Sequence, residues 1–305
     1  MSFNDSAQLD PSRVSDRRGR GRGRGVAIGG GLGGGIILLL SILFGPGVVS
    51  EMGLDGSSGG GVEGETQQTD AINACQTGAD ANERLDCRIL GTAESLDAFW
   101  LPYLEEYGVQ YNQPGVVLFT GQTDTGCGNA TSAVGPFYCP LDEQTYYDTE
   151  FFDDLVTRFG ASGGPLAQEY VIAHEFGHHI QKITNTLNAA QEDPQGPESG
   201  AVRVELQADC YAGMWAGHAI SVPDAESGEP FLREFTSTDL QDALSAASAV
   251  GDDRIQESST GQVNPEGWTH GSSDQRQAWF LRGYETGDIN ACDTFSASDL
   301  DSPGA

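Results

Sequence analysis

His174, Glu175 and His178 stand in Val171-Ile-Ala-His-Glu-Phe-Gly-His-His-Ile180, a His-Glu-x-x-His pattern. Four residues along a helix bring two side chains onto one face, with Cβ atoms about 5–6 Å apart. Two neutral imidazoles so placed can chelate one Zn²⁺. Glu175 would then lie beside the ion, where its carboxylate can take a proton from an attacking water. About one helix downstream, Glu205 and Asp209 are again four apart. Two His and one Glu form a known catalytic zinc set whose fourth position is left for water, so Glu205 is the candidate third ligand. Asp209, one turn on, can accept the N–H of a ligating imidazole and fix its tautomer. Asp209 itself and His218 are the rival third ligands. His179 follows His178 directly and should point away from the metal. The bland alternative is a solvated acidic helix face, which an acidic chain readily supplies.

Three further side chains are candidates. His270 stands in Thr269-His-Gly-Ser-Ser273, just before a helix that Ser272 or Ser273 could cap. It is the candidate second donor to a developing oxyanion, with loop packing as the equal alternative. Arg276 reads as a structural partner rather than a substrate clamp. Tyr138 could offer its phenol, but a buried strand tyrosine is the better reading.

The elements that must position these groups can be read from pattern. Leu166 to Leu187 is helical, with Gly164 and Pro165 at its start, and so is Val202 to Ile220. Further helices are expected over 150–159, 237–250 and 273–284, and a helical pattern over 69–107. A strand is expected at Gly115-Val-Val-Leu-Phe-Thr120, then a Gly- and Thr-rich turn. Two hairpin arms follow at Val134–Pro140 and Gln144–Asp148. The result is an α+β domain, mainly helical with a small β-sheet and hairpin. The hairpin could align an extended peptide by strand addition.

The chain has 305 residues and a formal net charge of −30, with one lysine, Lys182. Such a surface does not bind nucleic acid through an electrostatic footprint. The exception is the N-terminus, where Arg13, Arg17, Arg18, Arg20, Arg22 and Arg24 are interleaved with glycine. Residues 26–49 then carry no charge and are long enough to cross a bilayer. The arginine-rich side should stay cytoplasmic. The expected plan is therefore a basic cytoplasmic tail (1–25), one transmembrane helix (26–49) and a flexible linker (50–69). A metallopeptidase domain outside the cytoplasm (70–295) and a disordered tail (296–305) complete it. A cleaved signal peptide is the alternative for the apolar segment. Six cysteines fit an exported domain with three disulfides. Pairing neighbours gives Cys75–Cys87, Cys127–Cys139 and Cys210–Cys292, one of fifteen connectivities.

Several separated blocks carry a family resemblance. They are Gly135-Pro-Phe-Tyr-Cys-Pro140, His174-Glu-Phe-Gly-His-His179 and Glu205-Leu-Gln-Ala-Asp-Cys-Tyr-Ala-Gly213. Thr269-His-Gly-Ser-Ser-Asp-Gln-Arg276 and Cys292-Asp-Thr-Phe295 complete the set. Together they resemble the bacterial putative neutral zinc metallopeptidase family. The resemblance covers roughly residues 70–295, together with the basic tail and the apolar segment. It implies a membrane-anchored peptidase of zincin-like fold that acts on a peptide or protein substrate. On that resemblance His174 and His178 map to metal ligands and Glu175 to the catalytic base. No His-x-x-Gly-x-x-His extension follows the motif, so the layout looks like a Glu-zincin. The competing functions are a non-catalytic zinc-binding envelope protein and a zinc amidase acting on cell-wall peptides.

Overall fold

Gly115-Val-Val-Leu-Phe119 is an almost unbroken apolar run, the pattern of a strand covered on both faces. In the computed structural model, which describes residues 2–19 and 69–304, it is the second strand of a four-stranded sheet. In chain order the elements begin with β1 (Val14–Asp16), α1 (Gly78–Glu83), α2 (Leu85–Glu106) and β2 (Gly115–Phe119). Then come β3 (Gln122–Thr125), β4 (Gly128–Thr131), β5 (Phe137–Cys139), β6 (Gln144–Asp148) and α3 (Phe151–Thr157). The chain continues through α4 (Pro165–Ile183), α5 (Gly200–His218), α6 (Ser237–Ala249), α7 (Asp252–Thr260) and α8 (Ser273–Thr286). The main sheet has the order β1-β2-β6-β5. β1 and β6 both run parallel to β2, and β5 runs antiparallel to β6 at one edge. β3 and β4 form a separate hairpin where the sequence predicted only a turn. The class is therefore α+β, as expected.

Local chemistry sets the helix ends. Pro165 occupies the first turn of α4, where its missing N–H costs nothing. Ser199 caps α5 by accepting from Val202 N at 3.2 Å. Ser272 caps α8 in a reciprocal box with Gln275. The predicted helix over 69–107 is interrupted, because Arg84 is extended between α1 and α2. α7 had no prediction; its sequence, Asp-Asp-Arg-Ile-Gln-Glu-Ser-Ser-Thr, has too few apolar residues to show a face.

α5 is apolar almost all round and is buried nearly throughout, the mark of a central helix. It packs against α4 and α8 with unusually close backbones. A Cβ on Gly177 of α4 would lie 3.0 Å from both Cα and the carbonyl oxygen of Ala208 in α5. Gly213 of α5 and Gly283 of α8 face each other's helices so tightly that a Cβ on either would come 1.9 Å from a carbonyl oxygen, of Phe280 and Cys210 respectively. Three disulfides brace the fold with the predicted neighbour pairing: Cys75–Cys87, Cys127–Cys139 and Cys210–Cys292.

The membrane reading is corrected by this structure. Among the described residues no helix is long and apolar enough to cross a membrane, and residues 26–49 lie outside the described residues. Residues 2–19 do not behave as a separate tail. β1 is bonded to β2, Phe3 is fully buried, and Arg13 pairs with Asp97 of α2 at 2.8 Å. Arg18 meets both Asp16 and Asp86. A single crossing between residues 19 and 69 would put hydrogen-bonded strands on opposite sides of a bilayer. The transmembrane helix in the fold class and the single-pass localisation with a cytoplasmic N-terminus are therefore not supported. The arginines that read as a topological signal are, at positions 13 and 18, ion-pair partners inside the fold.

Candidate metal centre

α4 presents His174 and His178 one turn apart, with ring centroids 4.8 Å apart and planes at 85°. α5, held close by the glycine contact at residue 177, brings Glu205 to them. Its Oε2 is 3.2 Å from His174 Nε2 and its Oε1 is 3.6 Å from His178 Nε2. The ligand atoms of these three residues all lie within 4.8 Å of one another, and all three residues are buried.

The far side of each imidazole is tied. His174 Nδ1 donates to Asp209 Oδ1 at 2.8 Å, which leaves Nε2 as the free nitrogen. His178 Nδ1 is 2.8 Å from Gln181 Oε1. The Gln181 amide is oriented by its own donors, which go to Val204 O at 2.6 Å and Gln207 Oε1 at 3.1 Å. Its oxygen must therefore accept from His178. Asp209 is in turn gripped by Arg276, with Nε–Oδ2 at 2.8 Å and Nη2–Oδ1 at 3.0 Å, and accepts the Tyr170 hydroxyl.

Does this arrangement fit zinc? Bonds of about 2.0–2.2 Å to a tetrahedral ion place ligand atoms roughly 3.3–3.6 Å apart. The two His–Glu separations, 3.2 and 3.6 Å, lie close to that spacing. Glu205 Oε1 is buried with no hydrogen-bond partner. The local potential also draws positive charge. Burial opposes a proton on His174, yet Asp209 and Glu205 outweigh it and bring its pKa up to about 9. Glu205 is held far below the usual carboxylate range: burial would raise it, but the surrounding histidines win. His178, buried and flanked by His174, is pushed down to about 4 and stays neutral. The residues fit the ion.

Glu175 is buried, and its Oε2 has no partner. Burial, with some help from Glu205, raises its pKa to about 7, opposed in part by His174, by Arg276 and by the backbone of Tyr138 on the edge strand β5. His270 is 9% exposed. Its Nδ1 lies 2.8 Å from Thr269 Oγ1 and 3.4 Å from Asp252 Oδ1. The turn that carries His270 packs on α5 near Glu205: a Cβ on Gly271 would come 3.2 Å from Val202 Cγ1 and 3.3 Å from Leu206 Cδ2.

The other candidates fall outside the cluster. His179 points away, to Tyr138 Oη at 3.0 Å and Asn112 O at 2.6 Å. That bond also occupies the Tyr138 phenol. His218 donates to Met214 O at 2.9 Å and stacks on Phe99. Asp209 is committed to the Nδ1 side of His174, so the rival third ligands do not join the group. Sequence reasoning missed Gln181, Tyr170 and Asp252. Gln181 alone had a readable signal, three residues after His178 on the same helix face.

The family described as putative neutral zinc metallopeptidase matches residues 2–295. An uncharacterized protein of Mycobacterium tuberculosis is 56% identical over 229 residues, covering 75% of this chain and 77% of its own. The uncharacterized protein YpfJ of Escherichia coli is 40% identical over 273 residues, covering 87% and 88%. No solved structure matches.

Proposed function

Since the chain belongs to the putative neutral zinc metallopeptidase family, we propose that it hydrolyses peptide bonds with a zinc ion held by His174, His178 and Glu205, and with Glu175 as general base. The observation that carries this reading is the convergence of two Nε2 atoms and a carboxylate whose outward sides are already committed. Bound zinc would polarise the scissile carbonyl and make a water acidic enough to attack near neutral pH.

The protein's own groups do the rest. Glu175 takes the proton of the attacking water and delivers it to the leaving amine. Burial of the carboxyl strengthens its hold on that proton. Asp209 and Gln181 keep both imidazoles in the ligating tautomer. Arg276 offsets the charge of Asp209 in a site where it has no contact with water. His270 is the donor to the oxyanion. β5 borders Glu175 through Tyr138 and is an edge of the main sheet, so an extended peptide can align along it as an added strand.

The test uses the full chain, because residues 2–19 belong to the fold. Bound zinc is measured for wild type, His174→Ala and Glu205→Ala, and cleavage of a peptide library is followed with and without chelator. Both alanine variants should lose stoichiometric zinc. Glu175→Gln should retain zinc and lose cleavage. Full zinc in Glu205→Ala removes the third ligand; wild-type cleavage in Glu175→Gln removes the general base.

A further inference from the structure

Asp252 opens α7, directly after Gly251, and is 4% exposed. Its Oδ2 accepts three consecutive backbone N–H groups: Thr269 at 2.7 Å, His270 at 2.6 Å and Gly271 at 3.1 Å. Its other oxygen, Oδ1, faces His270 Nδ1 at 3.4 Å. One carboxylate thus grips both the backbone of the turn and the ring that the turn carries. The neighbouring Asp253 extends the clamp, accepting Ser273 N and Oγ at 2.8 Å each. Together they fix the 269–273 turn to the start of α7. The turn then runs straight into the Ser272 cap of α8, the helix that carries Arg276 to Asp209.

We propose that Asp252 is a positioning residue for the peptidase reaction: it pins the 269–271 turn and holds His270 by Nδ1, so that Nε2 faces the space in front of His174, His178 and Glu205. The inference rests on the zinc peptidase reading above. It accounts for a buried acid that no ligand, cap or ion pair with Lys or Arg requires. With Nδ1 held between Thr269 Oγ1 at 2.8 Å and Asp252 Oδ1 at 3.4 Å the ring is kept from turning, and the negative carboxylate favours the imidazolium, whose Nε2–H can donate as charge develops on substrate. A ring with a rotatable Nδ1 would spend part of its time with the donor turned away.

Asp252→Asn separates the two roles. The remaining oxygen can keep the three backbone bonds, while the amide nitrogen meets His270 Nδ1 as a donor instead of an acceptor. Removing one well-placed oxyanion donor costs roughly 10²–10³ in kcat; weakening it this way should cost about 10–100-fold, with KM nearly unchanged. Zinc content and the thermal midpoint should match wild type. In a His270→Ala background the same substitution should add no further loss, because Asp252 acts only through that ring. Imidazole ¹⁵N NMR supplies a readout free of activity: the Nδ1–H resonance of His270 should be present in wild type and absent in Asp252→Asn.

Equal losses in both backgrounds, or an unaltered His270 signal, would overturn the proposal and leave Asp252 as a structural clamp. If wild type itself cleaves no peptide, the peptidase reading fails, and the NMR comparison alone decides whether Asp252 orients His270. Asp252→Ala removes the backbone clamp as well and should lower the thermal midpoint, which the Asn variant should not.

Discussion

Replacing Arg276 by Leu tests how the charge beneath the candidate metal site is held. Asp209 is fully buried and receives four hydrogen bonds, from His174, from Tyr170 and two from Arg276. The substitution removes the last two and the permanent positive charge among them, leaving in chelator the His174 imidazolium, whose pKa is brought up to about 9. Each charge-assisted bond of this kind contributes about 1.5–3 kcal/mol net, so the pair accounts for roughly 3–6 kcal/mol. Breaking a buried pair from one side costs about 3–5 kcal/mol when the remaining charge is uncompensated; His174 still faces Asp209, so the loss falls toward the lower end. Against a typical total of about 5–15 kcal/mol, the loss is a large fraction of folding stability. Urea unfolding of the full chain in chelator, followed by tryptophan fluorescence, reads it directly. Arg276→Lys should lose less, because a point charge cannot make both bonds of the fork. Asp209→Asn combined with Arg276→Leu should recover part of the loss, since the buried charge is gone while the His174 and Tyr170 bonds can persist. A loss below about 1 kcal/mol for Arg276→Leu, or a double variant as unstable as the sum of the two singles, would refute the argument.

Two further outcomes follow from the packing and from a second buried acid. Gly213→Ala puts a methyl 1.9 Å from Phe280 O and 2.8 Å from Tyr284 N, so α5 and α8 must move apart; overpacking of this kind costs about 1–3 kcal/mol or more, and a lower thermal midpoint with weaker zinc retention is expected, whereas an unchanged midpoint would contradict the close contact. Glu169 is fully buried, and burial raises its pKa to about 7 although Ser2 and Arg88 oppose the shift. Its folded-state value lies above the unfolded one, so the folded state binds the proton more tightly. The contribution is present below about pH 4.5 and is lost as pH rises through 7, a change of about 3 kcal/mol at 1.36 kcal/mol per unit. Glu169→Gln should flatten the pH dependence of urea stability over that window; an unchanged slope would assign it to other groups.

How far the sequence alone reaches depends on the range of the interactions. α4 and α5 are legible because the His and carboxylate spacings and the apolar residues repeat within a few residues. Ser272 is legible as a cap because a capping box closes over three residues. The neighbour pairing of cysteines holds because two of the three disulfides span only 12 residues. β1 is not legible. Val14-Ser-Asp16 is flanked by arginines, and what makes it a strand is Val116 to Leu118, far along the chain. The expectation of a membrane helix came from the same locality: an uncharged stretch and nearby arginines are visible in sequence, and the pairing of Arg13 and Arg18 with carboxylates of α2 is not. Asp252 and Tyr170 belong to the same class, since neither has a local pattern and each takes its meaning from a partner brought in by another element.

The docking of residues 2–19 dictates an order of events during synthesis. Phe3 bridges to Leu232, Asn4 N donates to Phe231 O at 2.9 Å, and Arg233 N donates to Ser2 O at 2.7 Å. β1 needs β2, and Ser2 reaches Glu169 on α4. Residues 2–4 therefore lack their partners in the 230–233 segment until position 233 has emerged. At roughly 5–20 residues per second, that is a wait on the order of ten seconds or more for an early segment with buried apolar side chains in the finished fold. Contacts of such long sequence separation slow folding, because the chain entropy is lost before the contacts are gained. Residues 2–4 thus fit last, and a nascent chain stopped short of position 233 would hold β1 on β2 but leave those first residues without their final partners.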